Sequence, residues 1–342
     1  MKMGKQASKF VPQGLQYLAG NITQKKNIMG SPLRVKASWA SGLTFAQSCQ
    51  TIFFAGCGYQ YSSDLERLMS LIRSMDKSPL GIEFPAKLAN SLREYSIDPV
   101  KLVGTLRGKH KYSDKQTLVY AIRILQALDY NPGYLSEKEP CCGGLLYYSG
   151  MEDTFMQNAK TAYKTLKACG VEEIISIVPS CTYTLKTLFP KYIDPCEIKV
   201  VHFLESVANK IHTMNLKLPA EISVTYHDPC QLSRYLEITA EPRHILQSIK
   251  GINLVETRGT NREFSTCCGG GGGFEAVFPE LSEKIACNRA RELADTGAEV
   301  ILTHCPGCIL QIRHALKKLR LNNIKVMDIT QIVAMAMGLS NV

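Results

Sequence analysis

Thirteen cysteines are the residues of this 342-residue chain whose type and spacing are best suited to chemistry. In the stretch STCCGGGGGF, residues 265–274, two adjacent cysteines precede five glycines. Adjacent cysteines lie too close for an unstrained disulfide with each other, and a run of glycines supports neither a helix nor a strand. This stretch therefore indicates a site that uses neighbouring thiols beside a backbone without side chains.

The cysteines of the second half follow a regular spacing. A gap of 36 residues separates the first from an adjacent pair, and another 36 separate that pair from a Cys-Pro-Gly-Cys motif, giving Cys230, Cys267, Cys268, Cys305 and Cys308. The first half repeats this order with gaps of 83 and 38 residues, at Cys57, Cys141, Cys142 and Cys181. When Cys181 is aligned with Cys305, Thr184 occupies the position of Cys308, so the first copy lacks its last cysteine.

The sequence around the cysteines repeats as well. Each Cys-Cys-Gly-Gly turn is followed by an amphipathic helical pattern, a glycine stop at Gly170 or Gly297, and an apolar run, IISIV or EVILTH. Further apolar runs precede the first cysteine of each copy, in TIFFAGC and ISVTYHDPC. Continuous apolar runs that alternate with helices are typical of parallel strands covered on both faces.

These elements predict an α/β fold of two tandem, pseudo-symmetric units with small parallel sheets. The predicted boundaries are a basic N-terminal arm at residues 1–50, a first unit at 51–198 and a second unit at 199–342. The extra residues of the first unit predict a helical insertion at about 62–130, because SSDLERLMSLIRSM and SDKQTLVYAIRILQAL have apolar residues at helical spacing.

The cysteines are predicted to meet at the sheet edge that collects ligands in α/β folds, since every group follows a strand. Pro306 fits the first turn of a helix and places Cys305 at or near its N-terminus, where the helix dipole favours thiolate. Five thiolates exceed the four ligands of a tetrahedral zinc, whereas iron–sulfur clusters distribute thiolates over several irons. Gly269 and Gly270, with the glycines that follow, would let the backbone approach such a cluster and offer N–H groups to its sulfides.

The motif Cys-x36-CysCysGly-x36-Cys-Pro-Gly-Cys, preceded by TYHDPCQLSRY, resembles the cysteine-rich (CCG) domain of heterodisulfide reductase catalytic subunits of the B/D type. This family includes heterodisulfide-reductase-like proteins of sulfur metabolism. The resemblance extends from about residue 50 to residue 342 and is most specific in the second half. It implies a noncubane [4Fe–4S] cluster that reduces a disulfide, with Cys230, Cys267, Cys268, Cys305 and Cys308 as ligands.

The first unit departs from this pattern at Thr184. Its four cysteines, Cys57, Cys141, Cys142 and Cys181, suit a cubane [4Fe–4S] cluster, a [2Fe–2S] cluster or a zinc ion. Two further alternatives are a cluster in which one iron has an open coordination position beside Thr184, and a site that binds no metal. An iron–sulfur cluster is the preferred interpretation.

Two histidines precede cysteines of the second unit, His227 in YHDPC and His304 in THCPGC. Both are candidate catalytic residues, because a histidine here could donate a hydrogen bond to cluster sulfur or a proton to a departing thiolate. The alternative for His227 is that it braces a turn together with Asp228.

The charge distribution gives information on partners and location. Residues 1–63 contain no acidic residue, which favours a basic arm that docks an acidic protein; nucleic acid is the alternative, although aromatic residues are not interleaved with the basic ones. No apolar run reaches the ~18 residues of a membrane span, and no secretion signal is present. We expect a cytoplasmic protein that reaches a membrane complex only through a partner.

The sequence lacks a dinucleotide fingerprint, a P-loop and a ferredoxin-type cysteine run. Electrons must therefore come from partners, and we expect a ferredoxin-like iron–sulfur subunit of the heterodisulfide reductase C type and a flavoprotein subunit. The predicted function is reduction of a disulfide substrate, or oxidation of thiols on a small molecule or a sulfur-carrier protein. The alternatives are an electron-transfer subunit in lactate, glycolate or glycerol-3-phosphate oxidation, and a non-enzymatic assembly module braced by zinc.

Overall fold

The structure, a computed structural model, describes residues 11–76 and 115–339. The first ten residues of the expected arm and residues 77–114 of the expected insertion lie outside this range. The helices of the described part are α1 (Gln13–Lys25), α2 (Leu33–Ala37), α3 (Gly56–Gln60), α4 (Ser62–Asp76), α5 (Lys115–Ala127), α6 (Gly144–Tyr148), α7 (Glu152–Ala168), α8 (Pro179–Tyr183), α9 (Phe203–Lys210), α10 (Ala240–Gln247), α11 (Phe274–Val277), α12 (Pro279–Ala294), α13 (Pro306–Lys318) and α14 (Ile329–Ala336).

Two small sheets, both parallel throughout, form the centres of the two units. The first has the order β1-β2-β3, with β1 (Thr51–Phe54), β2 (Glu173–Ser176) and β3 (Lys199–His202). The second has the order β5-β4-β6-β7, with β4 (Leu216–Tyr226), β5 (Ile249–Leu254), β6 (Val300–Thr303) and β7 (Lys325–Asp328). The predicted α/β class with two parallel-sheet units is confirmed.

The strands that precede the cysteines are buried, as their apolar sequences require. Ile52, Phe53 and Phe54 of β1 and all four residues of β6 are inaccessible to solvent or nearly so. Both long helices that follow the Cys-Cys turns end before a glycine with positive φ, Gly170 at 75° and Gly297 at 74°. Glycine adopts this left-handed conformation without strain, so the predicted stops are confirmed.

The insertion contributes to the core of the first unit. Its two predicted helices form α4 and α5, and Leu118, Ile122 and Leu125 of α5 are fully buried. Helix α5 packs against α3 of the first unit and α14 of the second. The insertion thus connects the units in addition to covering the first.

The described part of the basic segment, residues 11–50, is packed against the first unit and is not a free arm. Trp39 is buried and donates a hydrogen bond to the Tyr134 hydroxyl at 3.0 Å. Lys36 is buried and forms an ion pair with Glu139 at 3.7 Å. The expectation that the basic residues here serve a partner is wrong for Lys36, because its charge is neutralised within the fold.

The two units meet along a buried seam. Tyr59 of the first unit donates a hydrogen bond to the Asp328 carboxylate of the second. The His304 ring stacks on Phe203 at 5.5 Å between ring centres, and the His202 ring lies 5.3 Å away. Residues on both sides of this seam belong to one continuous hydrophobic core.

Candidate metal centres

The second-unit centre lies beyond the carboxyl ends of β4 and β6. Cys230 follows β4 after a short turn, and Cys305 is the N-cap of α13, with Pro306 at the first helical position. The prediction of Cys305 at a helix N-terminus is therefore confirmed. Cys308 lies in the first turn of the same helix, and the Cys267–Cys268 pair comes from the loop before α11.

The five thiols of this centre meet in space. Cys268 interacts directly with the sulfurs of Cys267 and Cys308, and Cys308 in turn with Cys305. The backbone N–H of Gly269 donates to Cys267 Sγ at 3.3 Å. Burial raises the pKa of the Cys230 thiol to about 11, with the charges of Cys268 and Cys305 adding to the shift.

One thiol of the group has surroundings that favour its thiolate form. The pKa of Cys268 lies well below its usual range because the thiols of Cys267 and Cys308 and the imidazole of His227 lie beside its sulfur. Cys268 is buried, whereas Cys267 beside it is exposed. The centre therefore has a buried interior and one side that faces solvent.

Gly269 is required by close packing onto α12. Its φ is +81°, and a Cβ atom there would lie 2.3 Å from the carbonyl oxygen of Ser282. The Ser282 hydroxyl donates to the carbonyl oxygen of Gly269 at 2.6 Å. A Cβ atom on Gly270 would lie 2.8 Å from Cγ of Gln311 on α13. Both glycines thus allow the Cys-Cys turn to lie flat on the two helices.

His227 faces the sulfurs through a nitrogen whose protonation is determined by Arg289. Its Nδ1 accepts a hydrogen bond from Arg289 Nε at 3.0 Å, and because the guanidinium can only donate, Nδ1 carries no proton. Burial lowers the pKa of His227, which keeps the ring neutral with its proton on Nε2. This N–H lies against Cys268, and the imidazole, Cys268 and Cys308 offer atoms within 4.8 Å of one another. Within the described residues the buried Nε2 of His227 has no hydrogen-bond partner, so its N–H is free to donate to a group that binds at this centre.

His304 lies in the seam between the units. Its Nδ1 is hydrogen-bonded to the Asp328 carboxylate at 2.9 Å. Asp328 also accepts from Tyr59 and Thr330, and despite burial, which raises its pKa, the contact with His304 lowers that pKa overall. Within the described residues no partner lies within hydrogen-bonding distance of His304 Nε2, which is buried.

The first-unit centre is assembled by the same elements in the other half of the chain. Cys57 lies in α3 after β1, Cys181 lies in α8 after β2, and the Cys141–Cys142 pair precedes α6. Cys57 Sγ and Cys141 Sγ are 3.8 Å apart, and Cys142 Sγ and Cys181 Sγ are 3.3 Å apart. The pKa of Cys141 is raised to about 12, chiefly because its thiol donates a hydrogen bond to Cys142.

Strand register shows which residues of the two units are equivalent. Ser176 pairs with His202, and Thr303 pairs with Asp328; His202 and Asp328 each begin a helix with a capping box. Val178 lies two residues after Ser176, and Cys305 lies two residues after Thr303, so Val178 and Cys305 occupy equivalent positions in the two units. The helices agree, because Val178 and Cys305 are both N-caps followed by proline.

This register corrects the sequence alignment. Cys181 is the third residue of α8 and Cys308 the third residue of α13, so these two cysteines are equivalent. Pairing Thr184 with Cys308 was wrong, because that alignment followed cysteine identity and not the prolines. Thr184 lies one turn farther on, where its hydroxyl donates to the Ser180 carbonyl oxygen at 2.7 Å. The missing cysteine of the first unit is the one at residue 178.

Buried ion pairs brace the turn before the first cysteine of each unit. Glu139 accepts hydrogen bonds from the backbone N–H groups of Ala55 at 2.8 Å and Gly56 at 3.2 Å, and Lys36 neutralises it. In the second unit, Asp228 is held by both terminal nitrogens of Arg243. A bracing role for Asp228 was the alternative weighed from the sequence, but its partner Arg243 was not predicted, and neither were Lys36, Glu139 and Arg289.

The donor set of the second-unit centre fits an iron–sulfur cluster. Five thiols converge there, and a nitrogen of the buried His227 lies within 4.8 Å of the sulfurs of Cys268 and Cys308. Hydrogen bonds from N–H groups to ligand sulfur are the usual surroundings of such clusters. Cys230, Cys267, Cys268, Cys305 and Cys308 would hold the cluster in this unit. Cys57, Cys141, Cys142 and Cys181 would be the corresponding ligands in the first.

Comparison with known protein families agrees with this chemistry. The family model for the cysteine-rich domain, CCG, matches residues 108–186 and residues 224–313. The chain belongs to the CCG family. The two matches contain the Cys-Cys pair and the following helix of each unit, so the internal repeat corresponds to two CCG domains. Residues 108–114 of the first match lie outside the described part of the chain.

Curated relatives of this CCG protein are redox enzymes. It is 29% identical over 282 residues to the D-type subunit of the dihydromethanophenazine:CoB–CoM heterodisulfide reductase of Methanosarcina acetivorans, covering 75% of this chain and 68% of that one. It is 34% identical over 196 residues to the B-type subunit of the CoM/CoB fumarate reductase of Methanothermobacter marburgensis, covering 57% and 38%. It is 29% identical over 226 residues to the EtfAB:quinone oxidoreductase of Syntrophomonas wolfei, covering 63% and 31%.

The alignments span 68% of the length of the first of these relatives but only 38% and 31% of the other two. Across the described residues, the helices are too short or too polar to cross a membrane.

Proposed function

We propose that this CCG protein is the iron–sulfur redox subunit of a heterodisulfide-reductase-like complex. It reduces a disulfide, or oxidises thiols in the reverse direction, at a noncubane [4Fe–4S] cluster in the second unit. The observation that carries this proposal is the convergence of five thiols around the buried Cys268, with Cys267 exposed to solvent. The relative from the Methanosarcina heterodisulfide reductase supports it.

The difference in access between the two centres supports the second as the place of reaction. In the first unit Cys141, Cys142 and Cys181 are buried and Cys57 is half-buried, whereas the second unit has an exposed cysteine, Cys267, and two that are half-buried, Cys230 and Cys305. A substrate sulfur can reach only a centre that has an open side. The first centre therefore serves to carry electrons or to brace the fold.

The reaction requires electrons that this chain does not itself generate. Reduction of R–S–S–R′ breaks the S–S bond, consumes two electrons and two protons, and releases RSH and R′SH. When bound, an iron–sulfur cluster supplies single electrons and iron atoms with affinity for sulfur. A ferredoxin-like iron–sulfur subunit, itself supplied by a flavoprotein subunit, provides the two electrons one at a time, and solvent at the open side provides the protons.

His227 contributes through its N–H group. It stabilises negative charge on Cys268 without itself gaining or losing a proton, since Arg289 occupies its other nitrogen. His304 has a different surrounding, because Asp328 holds it within the seam. A catalytic role for His304, including contact with substrate, remains a prediction.

The experiment is metal and spectroscopic analysis of protein prepared without oxygen. We expect iron and acid-labile sulfide, together with an electron paramagnetic resonance signal that changes when a disulfide or a dithiol is added. Protein that contains neither iron nor labile sulfide would overturn the proposal. A signal indifferent to both additions would overturn the disulfide chemistry alone.

A second candidate keeps the cluster and omits the sulfur chemistry. The relative named EtfAB:quinone oxidoreductase favours an electron-transfer role in oxidation of an organic acid or a glycerol phosphate. In that case the signal responds to a ferredoxin-like or flavoprotein partner but not to thiols.

For the first-unit centre, a zinc ion is an alternative to a cluster. Four sulfurs bound to zinc at ~2.3 Å in a tetrahedron lie ~3.8 Å from one another. The two sulfur–sulfur distances of this centre, 3.3 and 3.8 Å, are close to that value.

We propose the cytoplasm as the location, with attachment to a membrane complex only through a partner. The proposed division of the chain places the first CCG unit at residues 51–198 and the second at 199–342. Fractionation of cells that express the chain with and without its partner subunits tests the location. Recovery of the isolated chain in the membrane fraction would contradict it.

A further inference from the structure

Val178 occupies the position in the first unit that Cys305 occupies in the second. Both residues are N-caps with extended backbone, and both precede a proline at the first helical position. Three residues later, each helix presents a cysteine to its centre, Cys181 or Cys308. The two centres thus have the same frame, and a single side chain at the N-cap separates a five-thiol set from a four-thiol set.

The Val178 side chain contacts the turn that carries Cys57. A Cβ atom on Gly56 would lie 3.0 Å from Cγ2 of Val178 and 2.9 Å from Sγ of Cys181. A Cβ atom on Gly58 would lie 3.3 Å from Cγ1 of Val178. The isopropyl group therefore lies beside Cys181 and against the residues on both sides of Cys57, which is where a fifth thiol would join the group.

Val178 also separates the first centre from the second unit. The same Cβ atom on Gly58 would lie 2.8 Å from Cγ of Pro306, and Pro306 follows Cys305 in the chain. Val178 is only 3% exposed, and Pro306 is buried. The space between Cys57 and the N-terminus of α13 is thus filled with apolar groups, which offer no electron pair to a metal.

We propose that Val178 is the residue that restricts the first centre to four thiolates and so gives it a different cluster from the second. This inference rests on the proposed iron–sulfur function. It states that one side chain in each unit, at residue 178 or residue 305, determines how many thiolates the centre offers. Cysteine at residue 178 would complete the set around Cys57, Cys141, Cys142 and Cys181. Valine at residue 305 would remove the fifth ligand from the second centre.

The test is the variant Val178→Cys in a Cys268→Ser background, which disables the second centre so that the remaining metal and spectrum belong to the first. Thr184→Cys in the same background is the matched control, since it adds a thiol one turn away. We expect Val178→Cys to abolish the parent signal in electron paramagnetic resonance and Mössbauer spectra and to produce a new one. Thr184→Cys should retain the parent spectrum and the parent ratio of iron to protein.

The reciprocal variant, Cys305→Val in the otherwise unchanged chain, tests the same inference from the second centre. We expect the second-centre signal to be replaced by one that matches the first. Circular dichroism spectra equal to those of the parent show that each variant folds. If one variant does not fold, the other variant still tests the inference.

Three results would overturn the inference about Val178. They are a Val178→Cys spectrum and metal content equal to the parent, a change of equal size in Thr184→Cys, and a second-centre signal unaltered by Cys305→Val. Each can occur while the unmodified chain still contains iron and sulfide and responds to disulfide, so the proposed function would survive. Absence of iron from the unmodified chain would defeat the function as well.

Discussion

The two centres of this chain are built by equivalent strands and helices, yet only the second has a fully exposed cysteine. In the first, a buried valine caps the helix that carries Cys181, and leucines follow the Cys-Cys-Gly-Gly turn. In the second, a cysteine caps the helix that carries Cys308, and glycines follow the same turn. The fold thus determines where thiols collect, while a few side chains decide how many there are and whether a substrate can reach them.

The buried ion pairs that support the turn before the first cysteine of each unit also differ. The first unit neutralises Glu139 with Lys36, which comes from the N-terminal segment outside the repeat. The second unit holds Asp228 with Arg243, which comes from its own helix α10. The first CCG unit therefore depends on a segment added to the repeat, whereas the second is self-contained in this respect.

The largest effect is expected for loss of a central thiol. Cys268→Ser should remove the second-centre cluster and its iron and leave the first-centre signal, because serine replaces the one thiolate that contacts two other cysteines and His227. Cys287→Ser is the control: this cysteine lies in helix α12 outside both centres. Iron determination and electron paramagnetic resonance measure both. Equal iron loss in the two variants would show that folding, and not ligation, is affected.

A large effect on stability is expected at the brace of the first unit. Lys36→Met leaves the buried Glu139 carboxylate without its cation, which should lower the free energy of unfolding by about 3–5 kcal/mol. Lys167→Met, which breaks an exposed pair with Glu197, should cause no measurable change. Urea denaturation followed by circular dichroism provides the comparison. A Lys36→Met variant as stable as the parent would contradict a structural role for this pair.

The two Cys-Cys turns should differ in their tolerance of a methyl group. Gly143 and Gly269 both have positive φ, but a Cβ atom on Gly269 would meet the backbone oxygen of Ser282, while on Gly143 it would meet the side chain of Asn158. A side chain can move aside more readily than helix backbone. Gly269→Ala should therefore cost about 1–3 kcal/mol more than Gly143→Ala in urea denaturation. Equal costs would mean that the second turn has more room than the structure shows.

The smallest effect is expected for loss of the His227 imidazole that lies beside Cys268. His227→Leu removes the N–H that stabilises negative charge on the Cys268 sulfur. The reduced cluster carries more negative charge, so it loses more stabilisation than the oxidised cluster does. A differential loss of about 1 kcal/mol lowers a one-electron midpoint potential by about 40 mV. Redox titration of the second-centre signal measures this shift. His227→Gln, which retains an N–H donor, should shift the potential less; an unchanged potential in both variants would remove His227 from the centre.

Local patterns predicted much of this structure. The strands ahead of each cysteine group, the helix start at Pro306 and the glycine stops follow from properties of a few neighbouring residues. The same patterns failed where an alignment was needed. Thr184 was paired with Cys308 because cysteine spacing was matched without the prolines, and the pairing of Ser176 with His202 and Thr303 with Asp328 corrected it.

The partners of the buried charges could not be read from the sequence. Arg289 lies 62 residues from His227, and Lys36 lies 103 residues from Glu139. For Lys36 and Glu139, nothing in the neighbouring sequence distinguishes them from surface residues. An arginine within an apolar face of a predicted helix, as at Arg289 among Ala286, Ala290 and Leu293, is the one local signal that could have been used.

The sequence by itself determined how many thiols each half supplies, their order along strands and helices, and the presence of two CCG units. Those properties depend on periodicity, on caps and on prolines, which act within a few residues. Only the tertiary structure decided that Val178 replaces a cysteine, that His227 carries its proton on Nε2, and that the second centre is open. These properties depend on burial and on contacts between segments distant in the chain, because desolvation and hydrogen-bond geometry arise only when the chain has folded.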